Sequence, residues 1–210
     1  MTLRSVVRRA RLRGLDRDQQ GVTIVEFAIV APVLCVMLLG AFDMGHTLYV
    51  RAVLEGTVQK AARDASLEAG TDAQVLGVID QKVEDQLTPL GIGAAEIRPT
   101  RRFYRTFNDA AAARAETWTD SNANGTCDEG EPYDDENHNQ VWDSDGGNDG
   151  QGGAKDATLY TVRVSYPRLF PIDRLIGGSD TTNLSASTVL RNQPYGDQGS
   201  YEAAQVRNCT

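Results

Sequence analysis

The sequence predicts an α+β protein in which a long N-terminal helix carries a small antiparallel-sheet head. The first observation is an apolar run over residues 22–42, which good helix formers without proline extend through residue 69. The second is a change of period beyond residue 96, where strand-favouring residues replace the helical pattern. Because the helices come first and the strands follow, the pattern favours an α+β head on a helical stalk.

The apolar run reads VTIVEFAIVAPVLCVMLLGAF and contains a single charged residue. A helix of this length spans about 31 Å, which matches the roughly 30 Å hydrocarbon core of a bilayer. Six arginines precede the run and Asp43 follows it, so the positive-inside rule places the N-terminus in the cytoplasm and residues 43–210 in the periplasm. A cleaved secretory signal is the alternative, but its apolar region is typically only about 7–15 residues long.

Two residues interrupt the apolar character of the run. Pro32 removes a backbone donor, which membrane helices tolerate when neighbouring groups satisfy the freed backbone. Glu26 would cost about 2.5–3.5 kcal/mol at the centre of a bilayer. We therefore expect a function for Glu26, with a positive charge as its partner; the alternative is a carboxylate that is merely solvated at the inner interface.

The charge of the 210-residue chain is unevenly distributed, although 21 basic and 29 acidic side chains give a net charge of only −8. Residues 1–21 contain six arginines and two aspartates. Residues 116–149 contain 11 acidic residues and no lysine or arginine. This distribution excludes a uniformly acidic soluble protein and a basic nucleic-acid binder. We interpret the arginines that alternate with aromatic residues over 98–107 as a strand face or a partner of the acidic segment.

The N-terminal residues resemble a class III prepilin. The resemblance rests on the arginine-rich leader, Gly21, Glu26 followed by Phe27, and the apolar helix with Pro32. It is most specific for the TadE-like (TadE/TadF) pseudopilins of tight-adherence (Tad/Flp) pili, and it extends over about residues 17–68. The resemblance implies a minor pilin or pseudopilin that acts in the assembly or structure of such a pilus.

In that family an aspartyl prepilin peptidase of the inner membrane cuts after the glycine. The resemblance therefore implies cleavage between Gly21 and Val22, which makes Glu26 the fifth residue of the mature chain. Its carboxylate would pair with the new α-amino group of a neighbouring subunit or of its own chain. The implied partners are the prepilin peptidase, other pilins and pseudopilins, the Tad assembly-platform proteins and the inner membrane, but no nucleic acid.

Beyond the membrane span the sequence predicts further helices and then strands. A narrow stripe of mostly small residues continues the first helix: Leu48, Ala52, Ala62, Ala65 and Ala69. A second helix has one apolar face, formed by Val75, Leu76, Ile79, Val83 and Leu87, and ends before Pro89. Strands are predicted over residues 97–107, 159–166 and 182–190, and residues 192–210 are predicted to form a loose tail.

The acidic segment contains a twelve-residue calcium-loop pattern that begins at Asp120. Ca²⁺ takes about 6–8 oxygen ligands, and a tight turn at the sixth position lets alternate side chains converge on the ion. The pattern has glycine at that turn, Gly125, and a bidentate glutamate at the twelfth position, Glu131. The predicted ligands are Asp120, Asn122, Asn124, the Thr126 carbonyl, Asp128 and Glu131.

A second, degenerate copy begins at Asp135. Gln140 replaces the turn glycine and Gly146 replaces the bidentate glutamate. Its candidate ligands are Asp135, Asn137, Asn139, the Val141 carbonyl, Asp143 and Asp145. The tandem resembles the calcium loops of dockerin-like and other extracellular bacterial repeats. We predict one Ca²⁺ in the first copy and leave a second open; the alternative is a solvated, disordered acidic loop.

The sequence offers a candidate disulfide but no recognisable catalytic motif. Cys127 and Cys209 both lie on the oxidising side of the membrane and are candidates for a disulfide. The sequence contains no H-E-x-x-H, G-x-S-x-G, P-loop or C-x-x-C motif, so an enzyme is not expected. The alternatives to a pseudopilin are an unprocessed, single-span, calcium-stabilised periplasmic adhesion or scaffold protein and, third, a membrane-tethered enzyme.

The predicted organisation has five parts. They are a cytoplasmic leader over 1–21, a transmembrane helix over 22–42, a helical stalk over 43–90, a head over 91–191 with the calcium-loop insertion at 118–153, and a flexible tail over 192–210.

Overall fold

A computed structural model describes residues 20–67, 73–92, 95–170, 179–193 and 196–210, without the side chains of residues 20–22 and 67. The predicted leader up to residue 19 lies outside the described residues, and so does Ala69. The described part consists of one long helix and a small antiparallel-sheet head, which confirms the predicted α+β class.

Helix α1 runs without interruption from Gln20 to Leu67 and continues through Pro32. Its N-terminal half is apolar on every side and is not buried by the described residues of the head: Ile24 is 71% exposed and Phe27 is 68% exposed. A helix that is apolar all round is expected inside a membrane. Among the described residues, α1 is the one helix long and apolar enough to cross a bilayer, with a mean hydropathy of 2.5 in its most apolar window.

The C-terminal half of α1 belongs to the core of the head. It packs against helix α2 (Ala73–Leu87), which ends in a 3₁₀ turn over Thr88–Leu90, and against the sheet. The buried stripe on α1 consists of Val50, Leu54, Val58, Ala61, Ala62 and Ala65. Ala62 and Ala65 of the predicted stripe are buried, whereas Leu48 and Ala52 are exposed because Val50 and Leu54, two positions further along, occupy the buried face. The buried face of α2 is as predicted, with Ile79, Val83 and Leu87 inside.

The main sheet has four antiparallel strands in the order β3-β1-β4-β5. Their bounds are Glu96–Tyr104 for β1, Asn148–Asp149 for β3, Ala157–Pro167 for β4 and Thr181–Arg191 for β5. Strand β4 buries every second residue, from Tyr160 to Tyr166, against the helices, while Thr161, Arg163 and Ser165 face the other side. This alternation is the pattern that the sequence predicted.

A second, smaller sheet joins the acidic segment to the end of the chain. Strand β2 (Pro132–Asp135) pairs antiparallel with β6 (Gln205–Asn208), and Tyr133 forms a further bridge with Trp118 on the other side. The short helix α3 (Phe107–Ala112) is capped at its N-terminus by Thr106, whose hydroxyl accepts a hydrogen bond from the Asp109 amide. Because β6 pairs with β2, residues 205–208 are held in a sheet, in contrast to the loose tail that the polar sequence predicts over 192–210.

An ion pair fastens helix α2 to the main sheet. The Arg101 guanidinium on β1 donates to both carboxylate oxygens of Asp80 at 2.6 and 2.7 Å, and it lies 4.4 Å above the ring of Tyr160. The Tyr160 hydroxyl donates to the same carboxylate at 2.9 Å. Burial, and then the negative charge of Asp80, raise the pKa of this hydroxyl, so that it remains protonated and can donate.

We expect Asp80→Asn to lower the free energy of unfolding of the head by about 3 kcal/mol, because it leaves the buried Arg101 charge without its counter-charge. Near-UV circular dichroism of the detergent-solubilised chain during urea unfolding measures this change. The matched control is Glu55→Gln, which breaks the exposed pair of Arg51 and Glu55 and should change stability by less than about 0.5 kcal/mol. Equal effects of the two substitutions would contradict the structural role of Asp80.

Candidate functional site

The predicted processing residues lie at the start of α1. Gly21 and Val22 belong to its first turn, although their side chains are outside the described part. The Glu26 side chain is exposed on the apolar half of the helix and makes no hydrogen bond or ion pair with another described residue. A carboxylate in this setting needs a partner from outside the described chain if the helix lies in a bilayer.

The head is tied to α1 where the apolar run ends. The Asp43 carboxylate is largely buried and accepts a 2.7 Å hydrogen bond from Arg168, which follows strand β4. His46, one turn further along, lies with Nε2 3.0 Å from the Leu90 carbonyl oxygen. These contacts fix the base of the head against the helix immediately after its apolar half.

The backbone of the first loop, residues 120–131, turns tightly around the carboxylate of its first residue, Asp120. The amides of Asn124 and Gly125 donate to Asp120 at 3.2 and 2.8 Å, and Gly125 has a positive φ of 78°. Two side-chain amides, from Asn122 and Asn124, donate to Asp128. These amides and the Thr126 hydroxyl hold the pKa of Asp128 below its usual value.

Glu131 closes the first loop from its end. Its side chain is almost fully buried, and its two carboxylate oxygens accept hydrogen bonds from the backbone amides of Ser121 at 2.7 Å and Asp128 at 3.1 Å. Hydrogen bonds thus link Asp120, Asn122, Asn124, Thr126 and Asp128 within the first loop, and Glu131 joins them through the backbone amides of Ser121 and Asp128.

The second loop, residues 135–146, repeats this geometry despite its degenerate sequence. The amides of Asn139 and Gln140 donate to Asp135 at 3.1 Å each, and Gln140 adopts the positive φ, 70°, of the turn glycine that it replaces. Asn137 and Asn139 donate to Asp143 at 2.8 and 2.6 Å. The turn therefore forms without glycine, at the cost of a conformation that side chains rarely adopt.

A glutamate from outside the second loop takes the place corresponding to that of Glu131. The Glu116 carboxylate accepts hydrogen bonds from the backbone amides of Glu136 at 2.9 Å and Asp143 at 3.0 Å. Burial raises the pKa of Glu116, although these amides act in the opposite direction. Sequence reasoning did not identify Glu116 as part of the site.

Asp145, a predicted ligand of the second loop, lies in a different cluster. Its carboxylate accepts a hydrogen bond from the Tyr104 hydroxyl, and its carbonyl oxygen accepts one from Arg102 at 2.5 Å. Arg102 also lies 3.2 Å from Asp149 and 3.8 Å from Asp143. Of the arginines over 98–107, Arg102 is thus the partner of the acidic segment, and Arg101 faces the helices.

The end of the chain closes over both loops. Cys127 in the first loop is joined to Cys209 in a disulfide with a Cα–Cα distance of 5.7 Å. Arg207 of β6 donates to Asp135 at 2.6 Å, so a cation from the tail neutralises the first residue of the second loop. The disulfide is the one that the sequence offered as a candidate, whereas the polar sequence of the tail gives no sign of the pair of Arg207 with Asp135.

Side chains of the acidic residues alone do not form a metal centre. Among the described residues, no group of three or more His, Cys, Asp or Glu side chains converges as the ligands of an ion. Each loop instead combines carboxylates with asparagine amides and backbone carbonyls. Oxygen donors of this mixed kind suit Ca²⁺ and not the transition metals that histidine and cysteine bind.

Comparison with known proteins addresses the N-terminal helix. Residues 21–63 match the family described as TadE-like protein. No curated protein and no solved structure matches the chain. The matched segment begins at Gly21, includes Glu26 and Pro32, and extends into the part of α1 that is buried in the core of the head. Over residues 21–63 the chain is therefore similar to TadE-like proteins.

Proposed function

We propose that this protein is a minor pilin or pseudopilin that acts in the assembly or structure of a tight-adherence (Flp-type IV) pilus. The observation that carries the proposal is the TadE-like match, which begins at Gly21 on a helix whose N-terminal half is apolar on all sides. In this proposal the protein is a structural component and not an enzyme.

The proposal includes the placement and processing of the chain. The helix is inserted in the inner membrane with its N-terminus in the cytoplasm and its head in the periplasm, as the arginine-rich leader favours. The prepilin peptidase cuts between Gly21 and Val22. Other pilins, pseudopilins and the Tad assembly platform are then the partners of the mature helix.

We further propose that Ca²⁺ stabilises the head through the acidic insertion. The twelve-position pattern of the first loop and the hydrogen bonds that fold it around Asp120 and Glu131 support this part of the proposal. With 11 acidic residues and no basic residue over 116–149, bound cations would relieve the charge repulsion of the insertion. Loops of this kind in extracellular proteins bind Ca²⁺ with dissociation constants of about 10⁻⁴–10⁻³ M, which suits a structural ion.

The first test is the N-terminus of the membrane-associated protein, determined by mass spectrometry. We expect a chain that begins at Val22, and we expect Gly21→Leu to abolish cleavage because the resemblance places the cut directly after this glycine. The control Gly14→Leu, within the leader, should be cleaved normally. An intact leader in the wild-type protein would favour the alternative, an unprocessed periplasmic adhesion or scaffold protein.

The second test concerns the carboxylate in the span. Glu26→Gln keeps the shape of the side chain and removes its charge, so we expect normal membrane insertion but at least a roughly tenfold loss of protein from sheared pilus fractions, corresponding to about 1.4 kcal/mol. Immunoblots of the pilus and membrane fractions measure both quantities. Glu55→Gln, exposed on the same helix beyond the span, is the control. An unchanged pilus fraction would show that Glu26 has no role in assembly.

The third test is Ca²⁺ binding by the first loop. We expect millimolar Ca²⁺, but not Mg²⁺, to raise the melting temperature of the detergent-solubilised chain, because Mg²⁺ demands a stricter octahedral geometry. Glu131→Gln should reduce the Ca²⁺ effect, whereas Glu129→Gln, an exposed neighbour that accepts no hydrogen bond within the loop, should retain it. The calcium proposal fails if Ca²⁺ and Mg²⁺ act alike on the wild-type protein.

A further inference from the structure

The acidic insertion is an internal repeat that begins earlier than its calcium-loop pattern. The segments that start at Glu116 and Glu131 read ETWTDSNANGTCDEG and EPYDDENHNQVWDSD. They share one glutamate, two aspartates and two asparagines at the same positions, and each has an aromatic residue at its third position. Intervening positions differ freely. The residues that persist between the copies are therefore those with side-chain oxygens.

The two copies face each other across an antiparallel bridge. Trp118 of the first copy pairs with Tyr133 of the second, the equivalent position. The flanking hydrogen bonds run from the Thr119 amide to the Pro132 carbonyl at 2.9 Å and from the Asp134 amide to the Thr117 carbonyl at 2.8 Å. This pairing relates the copies by a local two-fold axis. Consequently the glutamate of each copy lies against the loop of the other.

The contacts of the two glutamates are equivalent in detail. Glu131 accepts from the amides at positions 2 and 9 of the first loop, and Glu116 accepts from the amides at positions 2 and 9 of the second. Gly146, at position 12 of the second loop, gives Glu116 its room: a Cβ there would lie 2.8 Å from the Glu116 Cγ. The glycine that disqualified the second loop in the sequence is thus required by the glutamate that enters it.

Two further observations indicate a ligand at the second loop. Glu116 is only 1% exposed, and no lysine, arginine or histidine among the described residues forms an ion pair with it. The Tyr133 hydroxyl is buried without a hydrogen-bond partner in the described part, and Tyr133 pairs with Trp118, two residues from Glu116. A buried, unpartnered hydroxyl in a segment that also holds a buried carboxylate without a cation is expected where an ion or its bound water completes the site.

We propose that Glu116 is the twelfth-position Ca²⁺ ligand of the second loop, so that the insertion is one two-calcium unit in which each copy's glutamate closes the other copy's loop. This inference rests on the calcium binding proposed above and deepens it. The remaining ligands of the second ion are Asp135, Asn137, Asn139, the Val141 carbonyl and Asp143. Asp145 is not among them, since Tyr104 and Arg102 hold it elsewhere.

Equilibrium dialysis of the detergent-solubilised full chain against CaCl₂ tests the assignment by counting bound ions. We expect two ions for the wild-type protein and one for Glu116→Gln, with the lost site weakened roughly a hundredfold. Asn139→Ala should remove the same ion, so that the double variant with Glu116→Gln still binds one. Combining Glu116→Gln with Asn124→Ala, which disables the first loop, should leave none.

Controls and the intrinsic fluorescence separate a lost ligand from a misfolded insertion. Glu129→Gln and Glu136→Gln are exposed neighbours that should bind two ions. Both tryptophans of the chain, Trp118 and Trp142, lie in the insertion with ring centroids 5.0 Å apart, so their emission reports on its fold alone. A correctly folded Glu116→Gln should retain the wild-type emission without Ca²⁺ and the ion of the first loop.

The number of bound ions distinguishes a failure of the Glu116 assignment from a failure of the calcium proposal on which it rests. Wild-type protein that binds no Ca²⁺ overturns both. Two ions bound equally well by wild type and Glu116→Gln, or a single wild-type ion that Asn124→Ala removes, overturns the role of Glu116 and leaves calcium binding by the first loop intact. Loss of both ions in Glu116→Gln while Asn139→Ala loses one also contradicts the assignment.

Discussion

The head depends on the outer half of α1 for its core. Val50, Leu54 and Val58 of that helix are fully buried between α2 and the sheet, and no other described element offers an apolar surface that could replace them. Burial of such side chains contributes about 1.5–3 kcal/mol each. The same helix continues before Asp43 as the exposed, apolar inner half. The packing of its outer half in the core and the ion pair of Asp43 with Arg168 therefore fix the orientation of the head relative to the inner half. A displacement of the helix would have to disturb the core.

The acidic insertion faces a different physical problem, which is the concentration of like charge. Protein groups relieve it in three ways: backbone amides donate to Glu116 and Glu131, side-chain amides donate to Asp128 and Asp143, and Arg102 and Arg207 approach from the sheet and the tail. Only the arginines bring a full positive charge, and each contacts the second loop or its surroundings. The first loop receives no cation from the described chain, and a bound divalent ion would act there with the least competition.

The sequence predicts the elements of this fold well where one period dominates. The continuous helix, the buried face of α2 and the alternation along β4 follow from side-chain spacing alone, because each element buries one regular face. Strand β6 does not, since Gln205–Asn208 is a strand only because β2 and the disulfide at Cys209 hold it. The stripe on α1 was predicted correctly at Ala62 and Ala65 but displaced by two positions at Leu48 and Ala52, because small and apolar residues on several faces of that helix leave the buried face undetermined by spacing alone.

The candidate loops were predictable as a pattern but not as a pair. The twelve-position pattern that begins at Asp135 has Gly146 where a glutamate is expected, and Glu116 lies outside that pattern because it precedes Asp135. The sequence nevertheless contains a sign of the second glutamate, because Glu116 and Glu131 each precede the first aspartate of a loop by four residues and so belong to the repeat. What no local pattern contains is the antiparallel bridge of Trp118 with Tyr133, which converts a linear repeat into two mutually closed loops.

The head and the inner half of α1 differ in their exposed apolar side chains and unpaired charge, and this difference bears on which of them contacts other proteins. The described head has a buried apolar core, a hydrogen-bonded acidic segment and a chain end fixed by β6 and a disulfide, although single apolar side chains such as Phe107, Val141 and Val206 are exposed. The inner half of α1 has none of these: its apolar side chains face outward on all sides, and Glu26 lacks a described partner. A bilayer satisfies the apolar side chains but not the carboxylate. A positive charge supplied within the membrane by another helix would satisfy the carboxylate as well, and this supports the proposal that the protein assembles with others through its helix.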